Sequence, residues 1–181
     1  MKYEVLNQLP VSGEYHETHF GKSTPDSLWI KFLPDDSENW VGSFANGKLG
    51  FVNRKIQDLS SYSKFGILNN GAFYLIDPHT KEILKSDDES YYSDFEIVPE
   101  KDLLFLASFW AIFVFKGNYM IKKISPDFID GIVFTKRIND QIFGEISDPG
   151  NEKSDFVLDI NSLKLKWGKL GSPHETEVNV C

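Results

Sequence analysis

Apolar and polar residues alternate along this chain in short runs, and Gly, Pro, Asn and Asp cut the runs at close intervals. Short apolar runs bounded by such turn residues, and rich in aromatic and β-branched side chains, are the mark of β-strands. Strands are predicted over residues 28–32, 40–44, 49–52, 65–68, 72–76, 95–98, 103–107, 112–115, 119–121, 132–135, 142–146, 156–160 and 163–167. Three tight turns between apolar runs predict hairpins: Asn46-Gly47, Asn69-Asn70-Gly71 and Lys116-Gly117-Asn118. Asn and Gly tolerate the positive φ that such turns need. Helix has little room. Residues 54–61 could form a turn or two. Residues 125–129 could form one turn, with Ser125 as N-cap and Pro126 in the first helical position. No long window carries a 3.6-residue apolar period.

One stretch repeats. Phe73-Tyr74-Leu75-Ile76-Asp77-Pro78-His79-Thr80-Lys81-Glu82-Ile83-Leu84 reads as strand, turn and strand, and so does the run from Asp155 to Lys166. Asp159 aligns with Asp77, Ser162 with Thr80 and Leu165 with Ile83, always at an offset of 82 residues. Between the two copies, Ala111-Ile112-Phe113-Val114-Phe115 follows Ala72 by 39 residues. Short strands recurring at roughly 40 residues are spaced like propeller blades. The turn acids have a structural reason to be there, since an Asp carboxylate accepts hydrogen bonds from backbone N–H groups just ahead of it. The fold class expected is all-β, an antiparallel meander of roughly 40-residue units, small or incomplete and β-propeller-like. Residues 1–170 are expected to form a single all-β domain and 171–181 a flexible C-terminal tail.

Composition sharpens this picture. Aromatic residues make up 14% of the 181, which favours pleated surfaces, and only four alanines are present. The formal net charge is -8, from 19 basic and 27 acidic residues. That balance repels a phosphate backbone and argues against direct nucleic-acid binding. The single cysteine, Cys181, cannot form a disulfide framework. No signal-peptide pattern is visible, the most apolar stretch (103–115) is too short for a membrane span, and no Asn-x-Ser/Thr sequon occurs. A cytoplasmic location is the default expectation.

The Leu75-Ile76-Asp77-Pro78-His79-Thr80 turn resembles, with Ile124-Ser125-Pro126-Asp127-Phe128, Gly144-Glu145-Ile146-Ser147-Asp148-Pro149 and Phe156-Val157-Leu158-Asp159, an uncharacterised family of bacterial β-propeller-like proteins. The resemblance spans about Asn70 to Trp167 and implies a fold, not an activity. Size, acidity and architecture are also similar to those of immunity proteins of bacterial contact-dependent toxins.

A search for reactive constellations yields no catalytic, metal-binding or cofactor residues. His16-Glu17-Thr18-His19 misses the zinc-protease spacing by one residue, because the two histidines need to be four apart on a helix. His79 and His174 have no nucleophile in a recognisable setting, and no P-loop, Gly-x-Ser-x-Gly or dinucleotide fingerprint is present. Two segments fit partner binding. One is Ser86 to Asp94, where Asp87, Asp88, Glu89 and Asp94 flank Tyr91 and Tyr92. Tyrosines bring interface area at little entropic cost, and acids steer a basic partner. The other is Phe109-Trp110, where Trp110 is either a hot spot or core. Trp29 and Trp40 are expected in the core. The reading is a non-enzymatic protein-binding domain, most concretely an immunity protein or inhibitor neutralising a basic bacterial toxin, perhaps a nuclease, by binding it. The alternatives are a small-molecule or sugar binder or hydrolase using a propeller-like cleft, and a scaffold module of a larger complex.

Overall fold

A computed structural model of the chain describes residues 1–11, 13–35, 37–87, 91–127 and 129–168, together with the backbone of residues 174–175. The strands are β1 Lys2–Leu6, β2 His16–Phe20, β3 Leu28–Leu33, β4 Trp40–Phe44, β5 Arg54–Leu59, β6 Lys64–Asn69, β7 Ala72–Asp77, β8 Glu82–Asp87, β9 Tyr92–Val98, β10 Leu103–Ser108, β11 Ile112–Lys116, β12 Tyr119–Ile124, β13 Ile132–Ile138, β14 Gln141–Ser147, β15 Lys153–Asp159, β16 Lys164–Trp167 and β17 His174–Glu175. Among the described residues the helical content is two short 3-10 turns, Ser60–Tyr62 and Pro99–Lys101. None of the described helices is long and apolar enough to cross a membrane. The protein is all-β.

Two compact units divide the chain, Met1–Tyr91 and Tyr92–Cys181. The first holds the sheets β1-β3-β4-β2 and β5-β6-β7-β8, the second β12-β11-β10-β9 and β13-β14-β15-β16-β17. No sheet closes on itself. Three of the four are up-and-down meanders, so almost all pairings are antiparallel. The exception is β2, which lies parallel to β4 with His16 opposite Trp40.

Each unit has its own core. In the first, aromatic rings do most of the filling: Phe32 stacks on Trp40 with centroids 4.1 Å apart, and Phe20 stacks on Phe44 at 4.7 Å. Phe65 meets Phe32 edge-on. The offset-stacked and edge-on arrangements suit the ring quadrupoles. The second core is mainly aliphatic, from Val98, Leu103, Ile112, Val114, Ile132, Ile142, Leu158 and Leu165, with Phe105 and Phe156 among them. Trp40 and Trp29 are buried, as the strand pattern predicts.

Most of the predicted strands are present, and the differences have identifiable causes. Residues 54–59 form the edge strand β5, not a helical turn; its backbone pairs in register with β6 from Arg54↔Asn69 to Leu59↔Lys64. An edge strand carries charge on its open side, so its sequence lacks the continuous apolar run that marks the inner strands. Residues 125–127 form no helix, and Phe128 lies outside the described residues. Asn46-Gly47 does not close a hairpin. The Gly47 N–H donates to the Asn69 carbonyl and the Leu49 N–H to the Asn70 carbonyl, so this segment is laid against the β6–β7 turn. That turn is the predicted one, with Asn70 at φ 52 and Gly71 at φ 97. A Cβ on Gly47 would run into the backbone of Asn70, Gly71 and Ala72.

The repeated turns share an Asp acceptor and a positive-φ residue four positions after it. In the β7–β8 turn, Asp77 Oδ1 accepts the His79 N–H at 2.9 Å, and the Lys81 N–H returns to the Asp77 carbonyl with Lys81 at φ 65. In the β15–β16 turn, Asp159 Oδ1 accepts the Ser162 N–H at 2.7 Å, and Leu163 at φ 53 bonds back to the Asp159 carbonyl. Leu163 follows Lys81 by the same 82 residues. Four of the edge strands share another feature. β8, β9, β12 and β13 each carry one extra residue that shifts the ladder register, a bulge, at Leu84, Ser93, Ile121 and Thr135. The expected tail at 171–181 lies outside the described residues, apart from the backbone of β17, which pairs with Lys166 and Trp167.

Gly47→Ala should cost roughly 2 kcal/mol or more, because the added methyl meets backbone that cannot rotate away; a urea titration followed by tryptophan fluorescence measures it. The Ser162 N–H and hydroxyl, both bonded to Asp159, hold that carboxyl below its ordinary value of 3.8. A depressed carboxyl stabilises the fold above its unfolded pKa and loses that contribution as pH falls through the folded value. Melting curves of wild type and Asp159→Ala should therefore differ near neutral pH and converge in acid below 3.8.

Candidate functional site

The sheet β9–β12 has two ends of different character, because the meander puts successive connections at alternate ends. At one end lies the β10–β11 turn. The Ser108 Oγ accepts the Ala111 N–H at 3.1 Å, and the Ser108 N–H donates to the Ala111 carbonyl at 2.8 Å. A hydroxyl that bonds the backbone three residues ahead locks a tight turn. Phe109 is half-buried and Trp110 is 54% exposed. Of the two readings open for this pair, the structure gives Trp110 the surface one: a large rigid ring, held outward by a turn that cannot easily relax.

The acidic segment is split. Asp87 ends β8, half-buried, and Tyr91 is exposed. Asp88 and Glu89 lie outside the described residues. Tyr92 and Asp94 are buried, which removes them from the surface a partner could reach in this structure. Tyr92 packs edge-on against Phe113 at 6.1 Å. Asp94 is 4% exposed; its Oδ1 accepts the Phe95 N–H and its Oδ2 the Phe134 N–H, both at 2.7 Å. It thus ties β9 to β13, helped by the Ser93 hydroxyl donating to the Ile132 carbonyl. A carboxylate spanning two strands of different sheets is a structural clamp. Its neighbours in sequence gave no sign of this, because burial is set by a strand 40 residues away.

At the other end of the sheet is a cleft of about 630 Å³. The 3-10 turn Pro99–Lys101, with Asp102 and Leu103, forms its floor. Lys116 and Ile121 of the β11–β12 hairpin form one wall, and Ile160, Asn161 and Leu163 of the β15–β16 turn form the other. Ion pairs brace the floor. Lys101 Nζ lies 2.7 Å from Asp140 Oδ1 and also donates to the Asn161 side chain. Arg137 Nη1 donates to Glu100 at 2.9 Å. The Lys101 and Asn161 hydrogen bonds hold the Asp140 carboxyl below its ordinary range. Beside the cleft, Lys122 Nζ donates to the Leu163 carbonyl at 2.8 Å; burial, and then the nearby Lys164 charge, lower its pKa. This cleft joins segments too far apart in sequence to be visible from local pattern. Its one legible signal was Tyr119-Met120-Ile121, three large apolar residues in a row on a strand, which cannot all face inward.

Other candidate chemistry disperses. His16 and His19 both sit on β2, three positions apart, so alternation sends them to opposite faces. His19 packs edge-on against Trp29 and lies 3.6 Å from Glu17. Among the described residues, no three His, Cys, Asp or Glu side chains gather as a metal site would require.

No protein-family model matches the chain, and no curated protein matches it by sequence. Among solved structures, the chain is similar over 97% of its length to a chain described as "Crystal structure of the eukaryotic initiation factor", with 11% identity and a TM-score of 0.47. It spans 42% of that chain's length. A likeness this distant says nothing about what the present chain binds.

Asp94→Ala should cost roughly 2–4 kcal/mol, since two buried N–H groups lose their acceptor. Trp110→Ala should change stability by only about 0.5 kcal/mol, as surface substitutions do. Chemical denaturation of the two variants side by side tests whether the clamp and the exposed ring have these separate roles.

Proposed function

We propose that this chain is a non-enzymatic protein-binding module that acts in the cytoplasm, its meander sheets serving as the blades of a small, incomplete propeller-like fold. The blade reading is supported by three successive meanders, of four, four and five strands, that begin at Arg54, Tyr92 and Ile132, a spacing of about 40 residues. The binding reading is carried by Trp110. A large aromatic ring exposed on a turn fixed by its own backbone is an entropically inexpensive anchor, because little freedom remains to be lost on docking. Tryptophan is also among the residues most enriched at interface hot spots.

The most concrete form of the proposal is an inhibitor, of the immunity-protein kind, that holds a basic toxin domain. Excess negative charge supports it: each unit carries four more acids than bases, so a cationic partner would be steered from a wide range of approaches. The segment Asp87-Asp88-Glu89 would add local charge near Tyr91.

The test is capture of partners on the tagged chain at low and high salt, followed by co-expression with whatever is held. A stoichiometric basic protein should be retained, and its toxicity neutralised. Trp110→Ala should weaken that complex about 30-fold, as loss of a hot spot does. Neutralising Asp87, Asp88 and Glu89 together should slow association and reduce salt sensitivity. Capture that is indifferent to both changes would overturn this assignment of the surface.

A further inference from the structure

The outer strands of the four sheets are not equivalent. Bulges interrupt β8, β9, β12 and β13, whereas β2 pairs with β4 in unbroken register from His16↔Trp40 to Phe20↔Phe44. β2 is also the last strand of its sheet. One bond fixes the direction of its backbone groups: the Phe20 carbonyl accepts the Ala45 N–H at 3.0 Å, so the Phe20 backbone is turned towards β4. Successive residues of a strand direct their N–H and C=O to opposite edges. The backbone groups of His16 and Thr18 therefore face β4 as well, and those of Glu17 and His19 face away from the sheet. Among the described residues no other strand takes them up.

The side chains of the same two residues share one face of β2, since they are two apart. His19 Nε2 lies 3.6 Å from Glu17 Oε2, with 47% and 27% of the two side chains exposed. That separation is too long for a hydrogen bond, so the carboxylate keeps room for a second donor and the imidazole for a second acceptor. The next residues across this face are Val41 and Ser43 of β4, both uncharged. Beyond Val41, Lys31 of β3 donates to the Tyr15 hydroxyl, with Glu4 and Glu14 nearby.

We propose that β2 pairs antiparallel with β2 of a second copy of this chain, centred on Thr18, to form a two-fold dimer. Thr18 then lies opposite Thr18, Glu17 opposite His19 of the second copy, and His19 opposite its Glu17. The direction of the backbone groups suits this register. Thr18 forms a narrow pair without hydrogen bonds, and on either side Glu17 and His19 form pairs that exchange two N–H···O bonds each. The four side chains make a ring in which carboxylate and imidazole alternate, with like groups only on the diagonals. Thr–Thr and opposite-charge pairs both favour a ladder. Centring on Glu17 or on His19 sets like groups directly opposite, so the register is selected. The contact also closes on itself, because two paired copies have used both β2 edges.

The other unbulged edges fit a second copy less well. Centring β1 on its middle residue sets Glu4 against Glu4. On β5 the charges are engaged within the chain, Arg54 with the Asn69 side chain and Asp58 with the Ser60 N–H. The role given to Trp110 has no part in this dimer, so either can fail without the other.

A five-residue ladder is a small interface, so the dimer is reversible. Sedimentation velocity of the intact chain from roughly 10 µM to 1 mM tests it, with amide hydrogen exchange at both ends of that range. The mass is expected to rise from that of one chain towards that of two. Exchange at Glu17 and His19 should slow at the higher concentration, while Thr18, bonded to β4 throughout, should not change. Glu17→Lys sets lysine opposite histidine and His19→Glu sets acid opposite acid, so each should weaken self-association about tenfold. Mixed in equal amounts, these two variants should pair with one another, since every cross-strand pair is then complementary. The variant with both changes should regain self-association. Misfolding would not be repaired by mixing, and the wild-type exchange pattern needs no variant. A chain that stays monomeric to the highest concentration would overturn the proposal. So would a dimer indifferent to both charge changes, or Glu17 and His19 amides protected only when a different protein or peptide is added.

Discussion

Apolar faces attract one another without direction, so one sheet could slide over another at little cost until a polar group has to be matched. In each unit a buried polar side chain supplies that match. In the first it is Asn69, fully buried on β6, whose amide donates to the Phe44 carbonyl at 2.9 Å, the Ala45 carbonyl and the Asn46 side chain, while its own oxygen accepts from Arg54 Nε. In the second it is Asp94, bonded to backbone on β9 and β13. Both residues take backbone groups from the neighbouring sheet as partners. Each group so paired would otherwise be buried without one, at a cost of about 1–3 kcal/mol. The register of sheet on sheet is therefore specified by hydrogen bonds, and the stacked rings and aliphatic side chains fill the space that those bonds define.

A scaffold pinned in this way leaves its variable chemistry to the ends of the sheets. The two ends of the β9–β12 meander show how different they can be. The Ser108 turn projects one aromatic ring and no formal charge. The opposite end gathers a charged floor, a lysine-bearing hairpin and an apolar wall. Neither end demands movement of the strands between them, so the two surfaces are free to differ in partner and in affinity.

How much of this was legible in the sequence depended on where each residue's partners lie. Inner strands announced themselves as short continuous apolar runs, and the Asn70-Gly71 and Gly117-Asn118 turns by local conformational preference. Asp77 and Asp159 were readable as turn acids because the N–H groups they bind are two or three residues away. Arg54–Leu59 was not readable, since an edge strand with one open side needs no continuous apolar run. Asn46-Gly47 misled because its bonds go to a turn more than 20 residues further on. Asp94 misled for the same reason: next to two tyrosines it reads as surface charge, and only the position of Phe134 makes it internal. The parallel pairing of β2 with β4 follows from the path of the chain between them and leaves no local trace.

The extra residues at Leu84, Ser93, Ile121 and Thr135 have a consequence for the crowded chain. A regular outer strand offers a row of backbone donors and acceptors at even spacing, which any other copy could continue without limit. One inserted residue shifts every group beyond it out of step, so a second copy can pair over only a few positions before the match fails. With such an interruption, each of these four outer strands is a poor template for a further strand, without help from surface charge. An edge such as β12 can then carry Tyr119, Met120 and Ile121 in the open without also presenting an evenly spaced backbone.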